Sequence, residues 1–238
     1  MPYDKSRRFL NAFCQIEEAL RNLARASKGE RFYSLVHKCT HKDKFISRYA
    51  DDLREFADLR NAIVHERCDG EPIAEPHQKT VLQIEKIRDH LIAPPTVEPA
   101  FFRKVAFCQP SDPISEASKI MLENSFSQIP IYAQGQCRGL LTTETIARWL
   151  ADRFQSPSGP LGEESVEAVA QFREHEDNYV LVPRRATLVE VLDHFDSFAK
   201  RGRNLDAIII TTSGHQAEQP LGIITVFDLP EIYRTIGV

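Results

Sequence analysis

Arg60, Asn61 and His65 lie in one segment with helical apolar spacing, LREFADLRNAIVHE (53–66), and their types suit RNA cleavage without a metal. In that reaction the 2′-hydroxyl is the nucleophile, and histidine, which titrates near neutrality, transfers the proton. Arginine stabilises the phosphorane, because its guanidinium fork binds two phosphate oxygens. Residues five apart on an ideal helix point about 140° away from each other. We therefore expect Arg60 and His65 to converge only through a local irregularity or across a dimer axis.

The same residues also fit an ordinary charged helix surface, on which Arg60 would pair with Asp58 or Glu66. The formal net charge of −4 argues mildly against avid RNA binding. Basic side chains could nevertheless form a positive face near the site, and they are Lys5, Arg7, Arg8, Arg21 and Arg25. The residues alone leave both interpretations open.

A second set of polar residues lies in GIITVFDL (222–229). Thr225 ends an apolar strand and is expected to cap the next helix, and Asp228 lies in the first turn of that helix. A carboxylate in this position can accept both hydroxyls of a ribose, while the helix N-terminus is available to a phosphate. Threonine followed by an acid at this spacing is also a common structural capping pair.

Metal-dependent and other familiar catalytic motifs find little support. His37, Cys39 and His41 alternate along a helical segment, where side chains two apart diverge, and no second pair follows at a usual zinc spacing. We therefore expect no metal site. The sequence also lacks a Gly-rich phosphate loop, a GxSxG elbow and an HExxH motif, which argues against ATPase, serine hydrolase and zincin activities.

The elements that carry these residues fall into two parts. Residues 1–92 contain four segments with apolar stripes at helical spacing, which predicts a small antiparallel helical bundle. One of these helices is long and keeps its period from Phe45 to Val64. Three prolines in APPTVEP (93–99) end the pattern, so we place a proline-rich linker at 93–103.

Beyond the linker the sequence contains an internal repeat. QCRGLLTTETIARWL (136–150) aligns with QPLGIITVFDLPEIY (219–233), and the segments upstream align in the same way. Each copy is predicted to fold as strand–helix–strand–strand–helix. We define 104–154 as the first repeat and 178–238 as the second repeat, separated by a turn-rich connector with one extra helix at 155–177.

The repeated unit resembles a cystathionine-β-synthase (CBS) domain, and the two copies together resemble a CBS pair, or Bateman module. GIITVFDL (222–229) is the most specific match, and SQIPIY before GLLT in the first repeat adds support. The resemblance implies an α+β fold whose clefts bind adenosine nucleotides (AMP, ADP or ATP) or S-adenosylmethionine. It implies that the nucleotide lies beside Thr142, Val182, Pro183, Ile223, Thr225 and Asp228. Arg184 and Arg185, which follow the strand VLVP (180–183), could face its phosphates or form a solvated turn.

The first repeat departs from this pattern, because Thr145 occupies the position that corresponds to Asp228. Glu144 comes one residue too early and would point about 100° away on a helix. We therefore expect one good nucleotide site rather than two.

Within residues 1–92, Arg60-Asn61-x-x-x-His65 resembles the Arg-polar-x(3–5)-His motif of HEPN domains. These domains are small helical bundles that often dimerise. Many are metal-independent ribonucleases, whereas others only bind partners. The resemblance implies that Arg60, Asn61 and His65 are catalytic, that a homodimer completes the site, and that single-stranded RNA is the substrate.

Composition places few further limits on function. With 42% hydrophobic and 27% charged residues, the chain can bury an ordinary core. Five cysteines without CxxC spacing favour free thiols in a reducing cytoplasm, and no apolar run predicts a membrane span or signal peptide. We expect a cytoplasmic protein in which adenine-nucleotide occupancy of the CBS pair regulates a HEPN-like ribonuclease. The alternative is a non-enzymatic regulatory and dimerisation module that docks a partner.

Overall fold

The computed structural model describes residues 4–65, 67–68, 71–72, 74–155, 159–175 and 178–236. The outer limits 1, 177 and 238 of the predicted domains lie outside these residues. The chain divides into two compact units, Met1–Pro95 and Thr96–Val238. The division falls inside the predicted linker at 93–103.

The first unit is helical and has one apolar core. Its helices are α1 (Asp4–Ala24), α2 (Phe32–Thr40), α3 (Lys44–Arg48), α4 (Ala50–His65) and α5 (Gln78–Ile92). A short antiparallel ribbon, β1 (Arg67–Cys68) with β2 (Glu71–Pro72), lies between α4 and α5 in the chain. The apolar stripes of the helices meet in a core whose largest fully buried side chains include Phe9, Ile16, Leu20, Leu35, Ile46, Leu53, Ile84 and Ile87.

The helix predicted over 45–64 is two helices in the structure, with a break at Tyr49. Asp43 begins α3, because its Oδ1 accepts hydrogen bonds from the N–H groups of Phe45 and Ile46 at 2.8 and 3.1 Å. Two aspartates occupy the first turn of α4, where negative charge stabilises a helix N-terminus. One stretch of continuous apolar period therefore contains two helix starts.

The first repeat contains α6 (Ile114–Asn124), β3 (Gln128–Ala133), β4 (Gln136–Thr142) and α7 (Thr143–Gln155). The strands β3 and β4 pair antiparallel. Where the sequence predicts a first strand, a single parallel bridge joins Cys108 to Ile131. The connector that follows includes the short helix α8 (Val166–Ala170).

The second repeat contains β5 (Tyr179–Pro183), α9 (Leu188–Lys200), β6 (Ala207–Thr211), β7 (Gly222–Ile224) and α10 (Leu229–Ile236). Its sheet has the order β5-β6-β7, with β5 parallel and β7 antiparallel to the central strand. The central strand is buried along its whole length, as its run of isoleucines predicts. The last turn before α10, Val226–Asp228, is a 3₁₀ helix.

The segment 96–103, which we call the strap, packs on the second repeat rather than forming a free spacer. Val97 and Phe101 are 0% and 3% exposed and belong to the core of that repeat. The Arg103 N–H donates to the carbonyl of Leu221, immediately before β7, at 3.1 Å. The prolines end the preceding helix, but the apolar residues of the strap are still buried.

Candidate functional site

The turn after β7 holds the carboxylate that the sequence predicts as a ribose ligand. Thr225 has extended backbone, and its hydroxyl accepts a hydrogen bond from the Phe227 N–H at 3.3 Å. The Oδ2 atom of Asp228 accepts from the Thr225 N–H at 2.7 Å, which completes a capping box. These contacts fix the carboxylate of Asp228 just before α10.

Asp228 faces a cleft of about 220 Å³ within the second unit. The second repeat also contributes Ile223 and Thr225 to the cleft, and the first repeat contributes residues 125–128. Two cationic side chains, Arg103 and the following Lys104, line the same cleft. The volume lies below the roughly 300–1,000 Å³ that is typical of small-molecule sites.

Arg103 is bonded to this carboxylate in the structure. Its Nη2 atom lies 3.0 Å from each of the two carboxylate oxygens of Asp228, and its Nε donates to the Ile223 carbonyl at 3.1 Å. The Asp228 side chain is 14% exposed, whereas that of Arg103 is 48% exposed. A ligand that uses the Asp228 carboxylate therefore has to displace a guanidinium. Arg103 could not be predicted from the sequence as part of this site, since 125 residues separate it from Asp228 and only the packing of the strap joins them.

Three predicted nucleotide ligands at the end of β5 lie outside this cleft. Val182 is 3% exposed and contributes its side chain to the core of the second repeat. Pro183 ends β5, and Arg184, which follows it, binds the strap instead of the cleft. The Arg184 Nε donates to Glu98 at 2.8 Å, which holds the pKa of that carboxyl below its usual range, and the guanidinium lies 5.7 Å from the ring centroid of Phe102.

The equivalent turn of the first repeat has a threonine in place of Asp228, and its carboxylate residue, Glu144, lines a different cleft. Thr145 is 3% exposed, its hydroxyl lies 3.0 Å from that of Thr142, and its N–H donates to the Thr142 hydroxyl at 3.1 Å. Glu144 pairs with Arg148 along α7 at 3.1 Å. Thr142, which the sequence analysis grouped with the nucleotide ligands, lines a different cleft from Asp228. The predicted ligands are therefore divided, and Ile223, Thr225 and Asp228 are the three that come together.

At the end of α4 the structure brings Arg60, Asn61 and His65 together within one chain. The Nη1 atom of Arg60 lies 3.0 Å from Nε2 of His65 and 3.3 Å from Oδ1 of Asn61. The expectation that an undistorted helix keeps Arg60 and His65 apart is wrong, because the long arginine side chain reaches the last residue of the helix. Since arginine only donates, Nε2 accepts in this contact and the ring proton is assigned to Nδ1.

Further polar groups lie on the same face of α4. Asp58 and Asn61 precede His65 by seven and four residues, so the three share one face of the helix. The Tyr33 hydroxyl of α2 donates to Oδ1 of Asp58 at 2.6 Å, and this hydrogen bond raises the pKa of Tyr33. Arg60 is thus directed to His65 and Asn61, whereas the carboxylate of Asp58 is bonded to a phenol.

The predicted positive face of the first unit is largely neutralised. Three of its five basic side chains are bonded to carboxylates, in the pairs Arg7–Asp4 at 3.1 Å, Arg8–Glu85 at 2.6 Å and Arg21–Glu17 at 2.6 Å. The Arg8–Glu85 contact is bidentate and joins α1 to α5, so it contributes to the packing of the bundle. These three arginines are therefore not a free phosphate-binding surface.

The described residues contain no group of three or more His, Cys, Asp or Glu side chains arranged to hold a metal ion. Cys39, at the centre of the His-x-Cys-x-His segment, is fully buried, and burial raises the pKa of its thiol. Cys14, Cys39, Cys108 and Cys137 are free thiols. In the part of the chain that the structure describes, we find no helix with the length and apolar character needed to cross a bilayer.

Comparison with known proteins identifies one domain. Residues 101–152 match the family model of the CBS domain. The match covers the end of the strap and most of the first repeat. No curated protein is similar in sequence to this chain.

Solved structures similar to this chain include three bacterial and archaeal proteins. AcuB from Vibrio cholerae is 18% identical over 59% of this chain and 91% of its own, with a TM-score of 0.44. The CBS-domain containing protein ATU1752 from Agrobacterium tumefaciens is 17% identical over 54% and 88%, with a TM-score of 0.40. An uncharacterized conserved protein from Pyrococcus horikoshii is 23% identical over 59% and 92%, with a TM-score of 0.42. At this similarity no functional residue is assigned from these structures.

Proposed function

We propose that residues 96–238 form a tandem CBS pair that binds one adenine nucleotide, AMP, ADP or ATP, in the cleft at Asp228. One observation carries the proposal: a capping box holds the Asp228 carboxylate against a cleft that also contains the cations Arg103 and Lys104. Ribose hydroxyls would donate to the carboxylate, and the phosphates would bind the cations through charge-assisted hydrogen bonds. The CBS match over 101–152 and the internal repeat support this assignment.

Nucleotide occupancy would then regulate the first unit. A ligand shifts an equilibrium between two states when it binds them with different affinity, and such coupling typically amounts to about 1–3 kcal/mol. A change in the cellular nucleotide pool would thereby change the state of the helical domain.

Binding is tested on the full chain by isothermal titration and thermal melting with AMP, ADP and ATP, using Asp228→Asn as the main variant. Because Asp228 also caps a helix, the matched control is Glu190→Gln. Glu190 forms the same capping box with Thr187, with a 2.7 Å contact to the Thr187 N–H, at the start of α9. We expect the nucleotide to raise the melting temperature of the native and Glu190→Gln proteins equally, and Asp228→Asn to lose most of that rise. Equal rises in all three proteins, or none in any, would reject the proposal.

A second function is favoured by the contact between Arg60 and His65. We propose that the first unit is a HEPN-like, metal-independent ribonuclease that acts on single-stranded RNA as a homodimer. A substrate phosphate would draw the Arg60 guanidinium away from His65, which leaves Nε2 of the ring free to transfer a proton. Asn61, which already contacts Arg60, would orient the phosphate or the arginine. The 2′-hydroxyl would lose its proton to Nε2 of His65 as its oxygen attacks phosphorus, and the 5′-oxygen would leave with a proton from water. The products are a cyclic phosphate end and a 5′-hydroxyl end.

The ribonuclease is tested by incubating single-stranded RNA with the full chain in EDTA, with and without AMP, ADP or ATP. His65→Ala should lower cleavage at least about a hundredfold, the contribution of a positioned acid–base group. Arg60→Lys should also cleave poorly, because an ammonium cannot reproduce the bidentate fork. His77→Ala, which removes another exposed histidine of the same unit, is the matched control and should retain activity. Cleavage that does not depend on His65 would leave the non-enzymatic partner-docking module as the function of this unit.

A further inference from the structure

We infer that Arg103 makes the cleft at Asp228 selective for phosphorylated nucleotides over adenosine and over cationic adenosine derivatives such as S-adenosylmethionine. The inference rests on the proposed nucleotide site and goes further by assigning the ligand's charge. It starts from the contact that the cleft already contains, in which the Arg103 guanidinium lies 3.0 Å from both oxygens of the Asp228 carboxylate.

A ribose that binds Asp228 competes with Arg103 for the same two oxygens. Charge-assisted hydrogen bonds are roughly twice as strong as neutral ones, so two hydroxyl groups alone replace this contact poorly. Displacement also leaves the guanidinium beside Lys104, a second cation that lines the cleft. A neutral nucleoside therefore removes one anionic partner of Arg103 and supplies no other.

A nucleotide supplies the missing anion. When the ribose takes the Asp228 carboxylate, the guanidinium can move to the 5′-phosphate, which arginine binds through two parallel hydrogen bonds. The Arg103 side chain is 48% exposed, so its free end can move without opening the core. S-adenosylmethionine supplies one carboxylate but two cationic groups, a sulfonium and an ammonium, so its net positive charge is repelled by the two cations of the cleft. The cleft should therefore bind AMP more tightly than adenosine, and adenosine at least as tightly as S-adenosylmethionine.

The experiment compares AMP, adenosine and S-adenosylmethionine by isothermal titration of the full chain. In the native protein, AMP should bind at least about tenfold more tightly than adenosine, which corresponds to the lower end of the contribution of a hydrogen bond to a charged group. Arg103→Gln should reduce this AMP-to-adenosine ratio at least about tenfold, because AMP loses a partner and adenosine loses a competitor. Arg103→Lys keeps the positive charge but loses the two parallel hydrogen bonds of a guanidinium. Its AMP-to-adenosine ratio should therefore lie between those of the native protein and Arg103→Gln.

The matched control is Arg184→Gln, which removes an arginine of the same unit that is bonded to Glu98 and lies outside the cleft. Its AMP-to-adenosine ratio should equal that of the native protein. If both Arg103 variants keep the AMP-to-adenosine ratio of the native protein, the inference is overturned. Arg103 would then only attach the strap to the second repeat. Equal affinity of the native protein for AMP and adenosine would overturn the inference while the proposed nucleotide site stands. If none of the three ligands binds, the inference and the proposed nucleotide site both fail.

Discussion

The turns that follow β4 and β7 occupy the same position in the two repeats but differ in chemistry. In the first repeat, Thr142 and Thr145 bond to each other, and the second of them is 3% exposed. In the second repeat, the Asp228 carboxylate bonds to Thr225 and, on its cleft side, to Arg103. The comparison shows that a hydroxyl is sufficient to cap a helix, whereas the Asp228 carboxylate caps a helix and also binds the Arg103 cation.

The glycines that precede these turns, Gly139 and Gly222, also differ in their surroundings. Replacing them should have the largest effect on the free energy of unfolding. A Cβ added at Gly222 would lie 2.1 Å from the Phe101 carbonyl oxygen, so Gly222→Ala forces the strap away from β7. At the equivalent Gly139 the nearest atom is the end of the Arg173 side chain at 3.5 Å. Urea titration should show a loss of about 3 kcal/mol in the free energy of unfolding for Gly222→Ala. Gly139→Ala should change it by no more than about 0.5 kcal/mol. If the two variants lose similar free energy of unfolding, the contact between Gly222 and the strap does not set the second repeat apart from the first.

A carboxylate transferred to the first repeat should have the next largest effect. Thr145→Asp places an acid at a position that is 3% exposed in the native protein, so we expect a loss of about 2 kcal/mol at pH 7. Burial raises the pKa of such a carboxyl, so the variant is more stable when the acid is protonated and loses stability as pH rises through that pKa. Urea titrations at pH 4.5 and pH 7 measure the difference, and Thr145→Ser is the control. A variant as stable as the native protein at pH 7 would show that the two turns are interchangeable.

The smallest effect concerns the hairpin between β6 and β7, which is longer than its counterpart in the first repeat. Hydrogen bonds from Ser213, first from its hydroxyl and then from its N–H at 2.7 Å, lower the pKa of Glu218 to about 2. A lowered carboxyl pKa stabilises the fold above the unfolded value of about 4.3, and this contribution is lost as pH falls through about 2. Glu218→Gln should therefore lower the melting temperature by about 1–2 °C at pH 7.

The difference between the native protein and Glu218→Gln should narrow below pH 4 and vanish near pH 2. Glu123→Gln is the control, because Glu123 lies on the exposed surface of α6 at 3.8 Å from Lys119. Melting curves across this pH range test the prediction. If the difference in melting temperature stays constant down to pH 2, the pKa of Glu218 is not lowered in the way described.

Local features of these sites could be predicted from the sequence. The capping pair of Thr225 and Asp228 depends on residues three apart, and the alignment of the two repeats is sufficient to place Thr145 opposite Asp228. Apolar periodicity also located the helices of the first unit, although it merged α3 and α4 because their apolar positions continue across Tyr49.

Features that depend on distant packing or on side-chain reach could not be predicted. Arg103 lies in the predicted linker, and only the burial of Val97 and Phe101 brings it to Asp228. Arg184 follows the expected strand, yet a carboxylate of the strap holds it elsewhere. The contact between Arg60 and His65 could not be predicted for another reason. The angle between two positions on a helix gives the directions in which their side chains leave the backbone, but not how far a long arginine side chain reaches.

The number of AMP molecules bound per chain tests the difference between the two turns most directly. Equilibrium dialysis of AMP against the full chain should give one site per chain in the native protein and in Thr145→Ala. Asp228→Asn should show no saturable site, whereas the capping control Glu190→Gln should keep one. Two sites per chain in the native protein, or one site that persists in Asp228→Asn, would contradict the assignment of binding to the Asp228 cleft alone.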